Sequence, residues 1–295
     1  MRRRNLVKYS LLFIAGCTAR LNANGTEQSK VIFPQSLKFA VTDVIGLAEL
    51  KRDFEDFRSA LEEVLNIKVE FFPVENRTAA TPALLAGKVD IVFAGPSEYI
   101  ILNARAKAVP IIGIRRKDYH SIFLVRADSK ITSLAQLRGK TIALRKIGST
   151  SGHIVPTKIL LDAGLDPKKD VNIVMLDKKG ASALKQGKVD AWTISSDRYQ
   201  HILAEQGLSA KDFKIIFKSN LLPSDLFVAS NQLAPDFITK MRSLMIQNQA
   251  KLISSLLTAK NNQSYIGSEL VTVNDSEYNI IREFYQNIGQ DSFLK

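Results

Sequence analysis

Residues 148–152 read Gly-Ser-Thr-Ser-Gly, and the apolar residues after them, Ile154, Val155, Ile159, Leu160 and Leu161, recur at helical spacing. Three hydroxyls at a helix start stand where backbone N–H groups lack intrahelical acceptors and where the helix dipole favours negative charge. Flanking glycines let a ligand approach the backbone closely. Ser149, Thr150 and Ser151 are therefore candidate donors to an anion. The plainer reading, in which Ser151 is only an N-cap, stands beside it. Arg145 and Lys146 end the preceding strand, so an oxyanion here would also meet cationic fields. Strand alternation directs at most one of the two toward the loop.

The common catalytic loops are missed. A phosphate-binding loop G-x-x-x-x-G-K-[ST] fails at "LAQLRGKT", where Leu134 takes the place of the first glycine. The nucleophile elbow G-x-S-x-G fails because Thr150 takes the central position, and no G-x-G-x-x-G occurs. His153 and His201 have no partners at metal-ligand spacing, so neither a metal nor a cofactor is expected.

The elements that must position the loop follow an α/β alternation. Strand-like runs at 37–41, 68–74, 89–95, 109–114 and 121–127 are separated by helical stretches near 48–65, 78–86 and 97–107. A second series has strands at 141–145, 171–176, 189–195 and 213–218, with helices near 149–164, 180–186 and 197–206. A strand at 226–230 precedes a helical segment from about 235 to 258. "ALLAGKVDIVF" from Ala83 recurs as "ALKQGKVDAWT" from Ala183, each a short helix, a Gly-Lys turn and a strand opening with Val-Asp. Trp192 reads as core. Tyr119 and His120, near a crossover between the two series, read as a structural pair, with a place on the cleft lining as the other reading.

At 295 residues with 45% hydrophobic and 24% charged residues, the chain has the material for one large or two medium domains. The first residues, "MRRRNLVKYSLLFIAGC", place Arg2, Arg3, Arg4 and Lys8 before a short apolar run and small residues, the layout of an export signal. The run is too short for a membrane span. It resembles a bacterial lipoprotein signal, in which Ile14, Ala15 and Gly16 precede an acylated Cys17; an uncleaved basic anchor is the other reading. Cys17 is the only cysteine, so no internal disulfide is possible. Residues 18–36 read as a tether. The net charge of +12 includes the four basic residues of the signal, and the remaining Lys and Arg are scattered. That pattern fits an anionic ligand or a solvated basic surface, and argues against nucleic acid.

With these residues assembled, the chain resembles the phosphonate-binding protein family of ABC importers. The resemblance is carried by "GKVDIVFAGPSEY", "DSKITSLAQLRGKTIAL", "GSTSGHIVP" and "KSNLLPSDLFV" in that order, over roughly residues 36–230. It implies a two-lobed type II periplasmic-binding fold, α/β in class, with two mixed-sheet lobes joined by a two-segment hinge at 126–132 and 219–226. Lobe 1 is then 37–127 with 224–295, and lobe 2 is 128–223. The resemblance further implies that Ser149, Thr150 and Ser151 bind phosphonate oxygens. It implies that Asp225 contacts the amine of an aminophosphonate, with Asp197 as a second acidic candidate. Gly95, Pro96, Ser97 and Tyr99 follow a first-lobe strand, where backbone and hydroxyls are placed to close over the ligand from the opposite side; an ordinary strand-to-helix turn with Ser97 as cap is the other reading.

Departures from the family pattern matter. Arg77 stands where an aromatic residue is usual, Ala94 where a tyrosine is usual, and a histidine near residue 177 is replaced within "LDKKG". Arg77, with a planar fork that can take two oxygens, and Lys178 suggest a ligand with more exposed negative charge. The function implied is the lipid-anchored, extracytoplasmic solute-binding component of an ABC importer. The cargo is a small phosphorus oxyanion (phosphonate, phosphite or phosphate), the partner a membrane permease, and the protein a monomer without catalysis. The alternatives are a binding protein that reports to a signalling receptor, and a phosphate-ester hydrolase using Asp225 or Asp197 as base.

Overall fold

A computed structural model describes residues 34–295. The export signal, Cys17 and nearly all of the tether fall outside the described residues. Two sheets organise the rest. The first has strands β1 (Ser36–Val41), β2 (Lys68–Phe71), β3 (Ile91–Ala94), β4 (Val109–Arg115), β10 (Asp225–Ala229) and β11 (Glu269–Val271), in the order β11-β4-β10-β3-β1-β2. The second has β5 (Ser121–Arg126), β6 (Thr141–Leu144), β7 (Asn172–Met175), β8 (Ala191–Ser195) and β9 (Phe213–Lys218), in the order β7-β6-β8-β5-β9. Both are mixed α/β sheets, as expected for two lobes.

Each lobe uses the same plan. A parallel trio, β2-β1-β3 or β7-β6-β8, is extended by one antiparallel strand that has just arrived from the other lobe, β10 beside β3 and β5 beside β8. The chain therefore crosses at 116–120 and again at 219–224. The first crossing corrects the expected hinge at 126–132: β5 pairs with β8 and β9 and belongs to lobe 2. Only five residues separate β4 from β5, so the sequence there reads like a hairpin. Which sheet receives a strand is decided by partners more than 60 residues away.

The internal echo is a repeated structural device. Helices α2 (Ala80–Leu85) and α5 (Gly180–Lys185) end at Gly87 and Gly187, with φ of 64° and 70°, which a glycine adopts without strain. In both, the following lysine N–H reaches back to an alanine carbonyl, Lys88 to Ala83 and Lys188 to Ala183, at 2.9 Å. Asp90 then accepts from the N–H of Lys38 at 2.7 Å, and Asp190 from the N–H of Thr141 at 2.9 Å. Each aspartate pins its strand to the start of β1 or β6, and those two strands lead to the cleft.

The cores are ordinary in chemistry. In lobe 1, β3 and β10 are buried along their length, and Phe93 stacks on Phe227 with centroids 4.5 Å apart. In lobe 2, Trp192 is fully buried, as the sequence suggests, and a Cβ at Gly180 would stand 2.3 Å from its ring. The remaining helices are α1 (Leu47–Leu65), α3 (Pro96–Ala106), α4 (Val155–Asp162), α6 (Ser196–Glu205), α7 (Pro235–Gln247), α8 (Gln249–Leu256) and α9 (Asn279–Asn287). The helix expected over 235–258 is broken at Asn248 into α7 and α8. Asp190→Ala is expected to lower folding stability by about 1.5 kcal/mol, the low end for a hydrogen bond to a charged group. Urea unfolding checks this; a variant as stable as the parent would show that the Val-Asp repeat carries no structural role.

Candidate functional site

The Gly-Ser-Thr-Ser-Gly segment bends from β6 into α4 through one wide turn, residues 150–154, in which the Val155 N–H reaches back to the Thr150 carbonyl. That wide turn has a cause. Pro156 has no N–H to give to Gly152, and the Gly152 carbonyl is instead taken by the Arg145 N–H at 2.9 Å and the Thr193 hydroxyl at 3.3 Å. The Ser151 carbonyl, bypassed by Val155, accepts from the Ser121 hydroxyl at 2.7 Å. The carbonyls are thus held by lobe 2. Among the described residues, the N–H groups of Thr150, Ser151 and Gly152 have no backbone acceptor, and Thr150 and Ser151 line the cleft.

Both glycines are needed. Gly148 has φ of 83° and lies against the Arg77 side chain of lobe 1, where a Cβ would stand 3.5 Å from Cδ. At Gly152 a Cβ would stand 2.6 to 2.7 Å from the Arg145 side chain, which crosses directly beneath it. That packing buries Arg145, and its Nε donates to Asp177 at 2.9 Å. Burial first, then the Arg198 charge, lowers the Arg145 pKa.

The loop opens into a cavity of about 500 Å³ between the lobes, lined by seven cationic and six carboxylate side chains. So near a balance means that recognition rests on directed donors more than on net charge. The expected grip of Arg77 on two ligand oxygens is corrected here. One terminal nitrogen of Arg77 donates to Glu98 and the other to Asp43, which engages both terminal nitrogens and leaves Nε without a hydrogen-bond partner. Burial would raise the Asp43 carboxyl, but Arg77, followed by Arg198 and Arg145, outweighs it and holds Asp43 well below the usual carboxylate range. Burial pushes Glu98 the other way, up.

Ser97 and Tyr99 are also corrected. Neither lines the cavity. Ser97, at the N-terminus of α3, donates to the Thr150 hydroxyl oxygen from both its N–H, at 3.0 Å, and its own hydroxyl, at 2.7 Å. Two accepted bonds leave the Thr150 O–H proton as its remaining valence. The contact joins the lobes and brings the positive ends of two helices together. Tyr99 points the other way: it is buried in the lobe 1 core against Tyr278, and its hydroxyl donates to Asp275.

Asp225 borders the cavity, but its Oδ2 already accepts from the Tyr265 hydroxyl at 2.6 Å. Asp197 lies off the cavity wall, buried beside Arg116 at 3.3 Å. Lys178 lines the cavity and reaches Asn261 of lobe 1 at 3.3 Å. Tyr119 lines it too, while His120 donates from Nδ1 to the Ser219 carbonyl at 2.7 Å and ties the two crossings together. Asp43, Glu98, Arg116 and Arg198 are site residues that sequence reasoning missed. No motif marks them, because their partners come from other elements; Arg198 faces Asp43 of lobe 1 at 3.6 Å.

His153 holds the loop by accepting from the Gly148 N–H at 3.1 Å. Burial, then the Arg77 charge, pulls its pKa down to about 4 from 6.5. Below pH 6.5 the unfolded chain therefore takes up a proton that the folded chain refuses. Its contribution to stability is present above 6.5 and is lost as pH falls toward 4. Relative to His153→Gln, the parent is expected to lose up to about 1.4 kcal/mol more per pH unit in that window. Urea unfolding at a series of pH values reads the difference, and parallel slopes would show that the imidazole is free to protonate in the fold.

The phosphate-import protein PhnD of Mycolicibacterium smegmatis is 26% identical over 233 residues, 73% of either chain. The phosphonates-binding periplasmic protein of Escherichia coli is 26% identical over 218 residues, 70% of this chain and 62% of that one. The solved structure of PhnD1 from Prochlorococcus marinus in complex with methylphosphonate superposes with a TM-score of 0.70 over 88% of this chain and all of that one, at 17% identity. That likeness shows the type II periplasmic-binding fold. Among the described residues, no helix is long and apolar enough to cross a membrane. A family model described as the periplasmic substrate-binding protein of phosphonate ABC transporters matches residues 39–278, and the chain belongs to that family of non-enzymatic binding proteins.

Proposed function

We propose that this protein captures a small phosphorus oxyanion in the cleft between its lobes and delivers it to an ABC permease. The observation that carries the reading is the run of backbone N–H groups at Thr150, Ser151 and Gly152 left without backbone acceptors, in a loop whose Ser149, Thr150 and Ser151 line the cleft. Donors fixed in this way match the oxygens of a tetrahedral anion, and the helix end adds a favourable field. The relatives named for phosphate import and for phosphonate binding, and the neighbour solved with methylphosphonate, support the same ligand class.

Closure follows from the same atoms. Thr150 and Ser97 join across the cleft, so a ligand seated on the loop lies beside one of the contacts between the lobes. The two crossings at 116–120 and 219–224 are the hinge strands that absorb the motion. Asp225 borders the ligand space, and Arg77 acts indirectly, by holding Glu98 and Asp43 beside it. Lipid attachment through Cys17 on the extracytoplasmic face, and action as a monomer, belong to the same proposal.

Two measurements test it. Thermal unfolding of ligand-stripped protein against phosphate, phosphite, methylphosphonate and sulfate should show a selective rise with a phosphorus compound. A ligand at a thousandfold its dissociation constant adds about 4 kcal/mol. No rise with any of the phosphorus compounds would overturn the ligand class. The Ser149→Ala, Thr150→Ala double variant should stay folded and lose at least about 100-fold in affinity, since each charge-assisted hydrogen bond contributes about 1.5 to 3 kcal/mol. Undiminished affinity would move the site away from the loop.

A further inference from the structure

Arg116 stands in the first crossing, on the cleft floor, with its side chain only 3% exposed. Its guanidinium carbon lies 3.3 Å from the centroid of the Tyr119 ring and 5.5 Å from that of Tyr265. Asp197 of lobe 2 approaches its Nε at 3.3 Å, and Asp225 of lobe 1 approaches Nη2 at 3.7 Å. Neither approach has hydrogen-bond geometry: Nε and both Asp197 carboxylate oxygens lack hydrogen-bond partners. The arginine therefore acts mainly as a positive charge wedged between two carboxylates from opposite lobes. With the second Asp225 oxygen taken by Tyr265, both Asp225 on the cleft floor and Asp197 behind it already have Arg116 as their counter-ion.

We infer that Arg116 sets the specificity of the cleft: it occupies, as part of the chain, the place of a positively charged substituent on the ligand. The site then accepts phosphorus oxyanions whose remaining substituent is uncharged and rejects aminoalkylphosphonates. This deepens the oxyanion reading proposed above and rests on it. Size does not explain the exclusion. A cavity of about 500 Å³ holds on the order of 16 waters at about 30 Å³ each, ample for a short organic tail. Charge does: an ammonium brought against the buried guanidinium finds no free carboxylate there and meets like-charge repulsion in a poorly screened site. Removing the arginine reverses the preference, because Asp197 and Asp225 would then face each other across the lobes and need a cation for closure.

The test is calorimetric titration of the full chain with two phosphonates of equal heavy-atom count, propylphosphonate and 2-aminoethylphosphonate, which differ by a methyl against an ammonium group. The parent should bind propylphosphonate about 100-fold or more tightly than the amine, the order expected for like charges about 4 Å apart. Arg116→Lys, which keeps the charge, should retain that ratio. Arg116→Met should shrink or invert it. Equal affinity of the parent for the two compounds overturns the inference even if Arg116→Met fails to fold, and so does an unchanged ratio in a folded Arg116→Met protein. Should the parent bind neither compound and also neither phosphate nor phosphite, the oxyanion reading itself fails and this inference falls with it.

Discussion

Arg77, Arg116, Arg145 and Arg198 converge on one cleft, and a guanidinium taken out of water is tolerated only where counter-charge meets it at close range. Much of the molecule serves that requirement. Asp43, at the end of β1, answers Arg77 of its own lobe and Arg198 of the other. Asp177 answers Arg145, and the pair Asp197 and Asp225 answers Arg116. Two of these sets draw carboxylates or arginines from both lobes, so the charges are matched only when the lobes come together. The interlobe surface is thus an electrostatic fit as much as a packing one.

The backbone plan makes such a fit possible with little machinery. One strand is exchanged in each direction, β5 into lobe 2 and β10 into lobe 1, and both exchanged strands sit beside the last strand of a parallel trio. The carboxyl ends of β3 and β8 then feed helix starts, at Pro96 and Ser196, next to the crossings. The Val-Asp repeat pins the parallel strands of both lobes in the same way. A ligand site between such lobes inherits two helix ends and two hinge strands without any dedicated element.

Within that frame the loop at 148–154 is a local solution to a backbone problem. Pro156 withholds a hydrogen bond, the turn widens, and the stranded carbonyls are taken up by Ser121, Thr193 and Arg145 of lobe 2. What is left without backbone acceptors is a run of N–H donors at Thr150, Ser151 and Gly152. The polarity of the site therefore follows from where the acceptors were satisfied, and the flanking carboxylates limit which anions and which substituents fit.

By itself the sequence determined the alternation of elements, the paired helix-turn-strand units at Ala83 and Ala183, and the loop of three hydroxyls between two glycines. Each is written in short-range patterns, such as apolar period, a glycine at positive φ, or a proline after a helix start, and these survive without knowledge of neighbours. Tertiary structure alone decided that β5 leaves lobe 1, that Arg77 is engaged by Asp43 and Glu98, that Tyr99 turns to Asp275, and that Arg116 stands between Asp197 and Asp225. The reason is physical: a buried charge takes its partner from whichever element lies within a few ångströms, and here Arg116 is paired with residues about 80 and 110 positions away.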